Sequence, residues 1–281
     1  MHPAHAFSAA GPAMVAVVLG LQAGDAAAAD LPDSLDQAVW IRVVAYQPNI
    51  DTLARIDTGS GAGIGTEFSF EALGLPRTRR LPALLLGARL GTAWRAEFEA
   101  FRLRRSGSTT IDATLVVDDT TFPISTVLAS SFDSDVYRAS AGYSFVKTPR
   151  LEVGGVFGLH VTSFELRLDA VSTTPGAPAA VGSERRSQTV PLPTLGVYAA
   201  AALAPGWQAT GRADYFSLRH RGYDGRLLNA QANLIYRPSS RWGFGLGWRI
   251  DDYRIGAERA DLRGRVEYRF KGPQAFVEAG F

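Results

Sequence analysis

Charged residues in this chain recur at alternate positions, with apolar residues between them. Seven arginines (Arg42, Arg89, Arg95, Arg138, Arg212, Arg237 and Arg249) and six acids (Glu97, Glu99, Glu152, Asp214, Asp251 and Glu278) fall on one side of such runs. A planar guanidinium pairs bidentately with a carboxylate, so these side chains can neutralise one another in a shared interior. The same set could instead line a path for a polar solute. His160 and Thr162 lie at i, i+2, a spacing at which an imidazole can activate a hydroxyl on one strand face. No acid on that face would orient the ring, and Glu165 sits on the other, so a structural histidine is the expectation. His220 near Asp224 is a second, weaker pair. A further group of arginines gathers at the ends of runs. Arg102, Arg104 and Arg105 end one; Arg219, Arg221 and Arg226 flank Gly222-Tyr223-Asp224-Gly225; Arg254, Arg259, Arg263 and Arg265 stand near the C-terminus. Their fork geometry suits phosphate oxygens. The glycine motif Gly61-Ala62-Gly63-Ile64-Gly65 neither follows a strand nor opens a helix, so it reads as a loop and not as a nucleotide site.

Composition removes other chemistries. The chain has 281 residues, 29 basic and 27 acidic, and a net charge of +2, so bulk charge gives no argument for a nucleic-acid partner. There is no cysteine, which excludes thiol catalysis, a cysteine zinc site and disulfides. Of four histidines, His2 and His5 lie in the leader described below, which leaves too few for a histidine metal cluster; no metal or cofactor is expected. Mean hydropathy is zero. No internal stretch reaches the roughly 18–20 apolar residues of a membrane helix.

The elements that must position the charged set have a period of two. Val39, Ile41, Val43 and Ala45 alternate with Trp40, Arg42, Val44 and Tyr46; Trp94, Ala96, Phe98 and Ala100 alternate with Arg95, Glu97 and Glu99. The pattern returns over 84–90, 137–145, 151–162, 195–203, 207–215, 228–236, 242–250 and 275–281. A soluble β-sandwich would also alternate. Three details favour a transmembrane barrel. The polar side mixes Arg, Glu and Asp with many small residues, as a barrel interior does. Aromatic residues (Trp94, Tyr143, Phe145, Trp207, Tyr236, Trp242) mark run ends, where membrane girdles sit. Short connections (91–92, 147–149, 204–206, 238–240) alternate with long ones (48–81, 108–125, 171–188), as periplasmic turns alternate with outer loops. The fold class is therefore all-β, a transmembrane antiparallel up-and-down β-barrel of about ten strands, with eight or twelve as alternatives. Ten requires a last hairpin of 241–258 against 261–281. The apolar positions switch from even (Val266, Tyr268, Phe270) to odd (Ala275, Val277, Ala279), which predicts a β-bulge at Gly272-Pro273.

Residues 13–24 form a short apolar run followed by Ala26-Ala27-Ala28-Ala29-Asp30. This predicts a signal peptide over 1–29, cut after Ala29, and a barrel over 30–281, although the first twelve residues carry no Lys or Arg. The final Ala-Phe-Val-Glu-Ala-Gly-Phe (275–281) resembles the C-terminal signal of Gram-negative outer-membrane proteins. The resemblance implies that Val277, Ala279 and Phe281 are read by the barrel-assembly machinery. The wider chain is similar to a poorly characterised family of proteobacterial outer-membrane β-barrel proteins. The matching stretches are Gly65-Thr66 with Leu73-Gly74-Leu75, Arg104 to Ser108, Thr121-Phe122-Pro123, Tyr143-Ser144-Phe145, Gly158 to Val161, Tyr223-Asp224-Gly225 and Gly272-Pro273. This implies location and fold, and carries no catalytic residue or substrate.

Together these readings predict a monomer in the outer membrane of a Gram-negative bacterium, after cleavage of the leader. Its expected role is structural, or a narrow passive conduit for small solutes. The alternatives are an outer-membrane enzyme acting on lipid A or phospholipid, and an adhesin or binding barrel that uses its long outer loops. The charged set should form a luminal network, because a barrel of about ten strands lies nearer the side-chain-filled size than the water-channel size. Arg102, Arg104, Arg219 and Arg263 are the expected contacts to lipopolysaccharide phosphates.

Overall fold

The structure is a computed structural model. It describes Leu35 and residues 37–57, 65–118, 120–172, 180–220, 223–258 and 263–281. The segment 1–29 and the glycine stretch 61–64 lie outside the described residues.

Among the described residues, fourteen strands follow in chain order: β1 (Val39–Tyr46), β2 (Asn49–Ile56), β3 (Phe68–Ser69), β4 (Leu81–Leu90), β5 (Trp94–Thr110), β6 (Leu115–Val117), β7 (Thr120–Phe122), β8 (Thr126–Lys147), β9 (Leu151–Ser172), β10 (Ala180–Ala204), β11 (Trp207–His220), β12 (Tyr223–Tyr236), β13 (Trp242–Glu258) and β14 (Arg263–Gly280). Ten of them, β1, β4, β5 and β8 through β14, form an antiparallel barrel that closes by pairing β1 with β14. β2 carries β1 onward along the same partner. Tyr46 pairs with Gln274 and Asn49 with Lys271, so the register is unbroken across Gln47-Pro48. Pro48 interrupts because it has no N–H to give.

The lower half of the wall shows the predicted polarity. Val43, Leu86, Phe98, Leu195, Val197, Leu246 and Trp248 are exposed outward, while Trp40, Glu99, Arg138 and Glu278 are buried inward. On β11 the apolar outer face runs from Trp207 to Tyr215. Those residues rise about 20–25 Å once the strand is tilted, the height of a hydrocarbon belt. Cross-strand aromatic pairs sit at its lower edge: Trp94 meets Tyr143 at 5.1 Å and Trp207 meets Tyr236 at 5.0 Å between ring centroids. The short turns there are tight. Gly206, at φ 74°, adopts a conformation that costs other residues energy, and its carbonyl accepts the Arg237 N–H at 2.7 Å.

Above the belt the polarity inverts. On β9, Leu166, Leu168 and Ala170 are buried inward, while Arg167 faces out and Glu165 is paired on the outer wall. On β5, Phe101, Leu103 and Arg105 are buried inward and Arg102 and Arg104 face out. A strand in water needs a polar outer face and an apolar inner one; a strand in lipid needs the reverse. β9 and β10, of 22 and 25 residues, therefore run far past the bilayer. The buried upper core includes Phe101, Leu103, Leu128, Phe132, Leu166, Leu168, Leu227, Tyr253, Tyr268 and Phe270.

This inversion corrects two expectations. The last hairpin has no bulge: β13 and β14 keep one register from Trp242–Ala279 to Glu258–Arg263. Tyr268 and Phe270 point inward into the upper core, whereas Val277 points outward into the belt, so the apolar positions change side without any extra residue. The expected outer loops also contain strands. The stretch 48–81 contains β2 and β3, 108–125 contains β6 and β7, and 171–188 includes the end of β9 and the first third of β10.

Candidate functional site

All thirteen members of the charged set point into the bore, each with an ion-pair partner. At the end of the bore beside the short turns, Glu278 joins Arg42 at 2.5 Å and also Arg237, which reach it from opposite sides. Glu152 takes both terminal nitrogens of Arg89, at 2.9 and 2.6 Å, and the Ser144 hydroxyl at 2.6 Å; that hydroxyl also meets Tyr198 at 2.8 Å. Glu97 bridges Arg95 and Arg212. Deeper, Arg212 donates to Asp214 at 2.8 Å, and Arg138 meets Glu99 at 2.9 Å and Asp214 at 3.3 Å. Arg249 closes the chain, 2.5 Å from Glu99 and 2.8 Å from Asp251. Asn229 fills the remaining gap, accepting from Arg138 at 3.0 Å and donating to Asp251.

The strands bring these residues together because one parity faces inward along each of them. Arg95, Glu97 and Glu99 follow at i, i+2, i+4 on β5, and Arg212–Asp214 and Arg249–Asp251 are i, i+2 pairs on β11 and β13. Small residues leave room for the large ones. A side chain at Gly87 would strike Trp40, one at Gly154 would strike Tyr198, and one at Gly245 would strike Phe276. Buried charge is tolerable here because every member of the set has an oppositely charged partner, although a few atoms, Arg95 Nε and Arg237 Nη1 among them, lack a hydrogen bond.

His160 is buried inward, and its Nε2 lies 2.7 Å from the Tyr253 hydroxyl. Thr162 is buried on the same face with its hydroxyl unpartnered. Asp224 accepts from Arg219 at 3.1 Å, and the His220 backbone pairs with Tyr223. Among the described residues, no group of three or more His, Asp or Glu is placed to hold a metal ion.

The outer arginines are not free. Arg102 donates to Asp135 at 2.6 Å, and Arg104 lies 3.3 Å from Asp133 and 3.5 Å from Asp135. The side chain of Arg263 lies outside the described residues. Arg105 belongs to a different group altogether. It is fully buried, donates to Glu71 at 2.7 Å and to Thr52 at 2.6 Å, and stacks near Phe70 and Phe132. Glu71 also accepts the Thr52 N–H at 3.1 Å. This clasp pins residues 68–75 between β2 and β5, where β4 has ended. Gly74 there packs directly on Gly107 and Ser108. Arg105 shares the parity of Arg95, Glu97 and Glu99, the signal that would have placed it inside; Glu71, in irregular chain, carries no such signal.

No family model matches the chain, and no curated protein matches it. Among solved structures it is similar to the outer membrane protease OmpT of Escherichia coli, with a TM-score of 0.57 and 8% identity over 86% of this chain and 97% of that one. It also matches the transport unit of the autotransporter AIDA-I from Escherichia coli (TM-score 0.41, 9% identity, 88% of this chain and 91% of that one). A third match is Neisserial surface protein A (TM-score 0.32, 13% identity, 87% and 97%). The closed ten-stranded wall, the apolar belt and the first of these likenesses define the class: a transmembrane antiparallel β-barrel of the bacterial outer-membrane type. At 8% identity the likeness to the protease is one of fold.

Proposed function

We propose that the protein is a non-conducting structural barrel of the Gram-negative outer membrane. The observation that carries this reading is the double filling of its bore. Residues of the charged layer such as Glu99, Arg138, Asp214, Arg249 and Asp251 are nearly inaccessible to solvent, and the apolar core lies directly above them. A narrow conduit for small solutes would require both layers to be displaced. Planar-bilayer recordings of the purified barrel are therefore expected to show no large, steadily open channel. Replacing Arg138 or Glu99 by Ala is expected to loosen the network and produce intermittent conductance. A wide, stable pore in the unmodified protein would end the filled-bore reading.

In this reading the barrel is not an enzyme. His160 is held by Tyr253 inside the wall, away from the bilayer where acyl chains would arrive. A second reading, a binding barrel, draws on the long outer wall of β8, β9 and β10, where Arg185 pairs with Glu165 at 2.9 Å well above the belt. In both readings the leader 1–29 is removed on export and Val277, Ala279 and Phe281 serve as the assembly signal. Arg102, Arg104, Arg219 and Arg263 contact lipopolysaccharide phosphates at the outer rim, where the first three must share their guanidinium groups with Asp135, Asp133 and Asp224.

A further inference from the structure

The thirteen luminal charges nearly cancel, but they do not cancel evenly along the bore. A cavity of about 80 Å³ opens at the periplasmic end, below the deep pairs. Its wall holds five arginines (Arg42, Arg89, Arg95, Arg212 and Arg237) and three glutamates (Glu97, Glu152 and Glu278). The surplus acid lies deeper, where Glu99, Asp214 and Asp251 face Arg138 and Arg249. Among the described residues, and with Asp214 set against Arg212, the arginines of the cavity wall still outnumber the acids by one.

The excess has a structural origin. Arg42 and Arg237 share the single carboxylate of Glu278. Arg237 is 3% exposed, and its Nη1 is buried without a hydrogen-bond partner. Arg95 likewise leaves its Nε unpartnered, while its guanidinium stands over the rings of Trp40 and Tyr198. A buried guanidinium donor with no acceptor is costly, and an anion that supplied the acceptor would remove that cost. Low-dielectric walls around a cleft of one sign also concentrate counter-ions in it.

We propose that this periplasmic cavity is a binding site for a small free oxyanion of the phosphate class, held chiefly by Arg237, Arg42 and Arg95. The volume is several times the roughly 10–15 Å³ that a single water needs, so there is room for one tetrahedral oxyanion. Gln208, Thr210, Gln231 and Asn233 line the rest of the wall and offer neutral donors. The chain's own N-terminal edge lies over the mouth: Arg89 donates to the Leu35 carbonyl, and Gln37 donates to the Ser240 carbonyl at 2.9 Å.

The test is calorimetric titration of inorganic phosphate into the full barrel in neutral detergent at constant ionic strength. Single-site, saturable binding is expected. Arg237→Gln should weaken it at least tenfold. Glu278→Gln should tighten it several-fold, because it releases both arginines. The opposite signs separate anion binding from damage to the barrel, which would weaken binding in both variants. If Arg237→Gln does not yield heat-modifiable barrel, Arg95→Gln takes its place with the same expected loss. Absence of saturable phosphate binding in the unmodified barrel overturns the proposal, as does weakening by Glu278→Gln. Displacement of phosphate by phosphatidylglycerol in the micelle would assign the site to a lipid headgroup and overturn the free-ion form.

Discussion

Glu99 shows how the buried network works at the scale of single residues. Its carboxylate serves Arg138 at 2.9 Å and Arg249 at 2.5 Å, and all three side chains are almost wholly buried. Removing one partner from such a group leaves charge without compensation, which typically costs about 3–5 kcal/mol. Glu99→Ala is therefore expected to lower unfolding free energy by about that amount in denaturant titrations of the folded barrel. A loss below about 1 kcal/mol would place the network in the range of solvated surface pairs and contradict its burial. The exposed pair Arg102–Asp135, with Arg102 60% exposed, belongs to that weaker range.

At the scale of elements, the informative feature is the seam above β4. Here β4 no longer joins β2 to β5, and the segment 68–75, which begins with the two-residue β3 and continues irregularly, completes the wall. Its hold rests on the Arg105–Glu71–Thr52 clasp, on the Gly74–Gly107 contact, and on Phe68, Phe70, Leu73 and Leu75 in the core. Arg105→Met keeps the stem but leaves the Glu71 carboxylate buried and unpaired. Amide hydrogen exchange over 66–80 is expected to accelerate by at least tenfold, while amides of β11 and β12 within the belt keep their protection. Uniform acceleration throughout the barrel would mean that the clasp supports the whole fold and not the seam alone.

The whole molecule is two barrels in one wall, a lower one solvated by lipid and an upper one solvated by water. Near the rim between them stand Arg102 and Arg219, and at the tip of the last hairpin Arg263, the arginines of the proposed lipopolysaccharide contact. Replacing Arg102, Arg219 and Arg263 together by Gln should lower thermal stability in lipopolysaccharide-containing membranes. The drop should be smaller in neutral detergent, where only pairs such as Arg102–Asp135 and Arg219–Asp224 are lost. Equal drops in both media would leave the arginines serving the protein alone. The proposed assembly signal lies at the opposite end. Gly280 pairs with Trp40 across the barrel's closing seam, and the Phe281 carbonyl accepts the Val39 N–H at 3.0 Å. Deleting Phe281 is expected to leave precursor or degraded protein in the periplasm; normal heat-modifiable barrel in the outer membrane would refute the signal reading.

The lower barrel was legible in the sequence because lipid imposes a strict rule: outward positions must be apolar, so the inward set, from Arg42 to Glu278, stands out by parity alone. The upper barrel obeys the same period with the sign reversed. Read for apolar-out strands, 171–188 passes as loop, and the change of side between Phe270 and Ala275 passes as a bulge. Only the tertiary structure shows that the solvent outside the wall changes along each strand while the backbone register does not. It alone also decides which carboxylate each arginine meets. Parity places Arg237 and Arg42 inside the bore, but their sharing of Glu278 depends on the closure of β1 on β14, which brings together residues 236 positions apart in sequence.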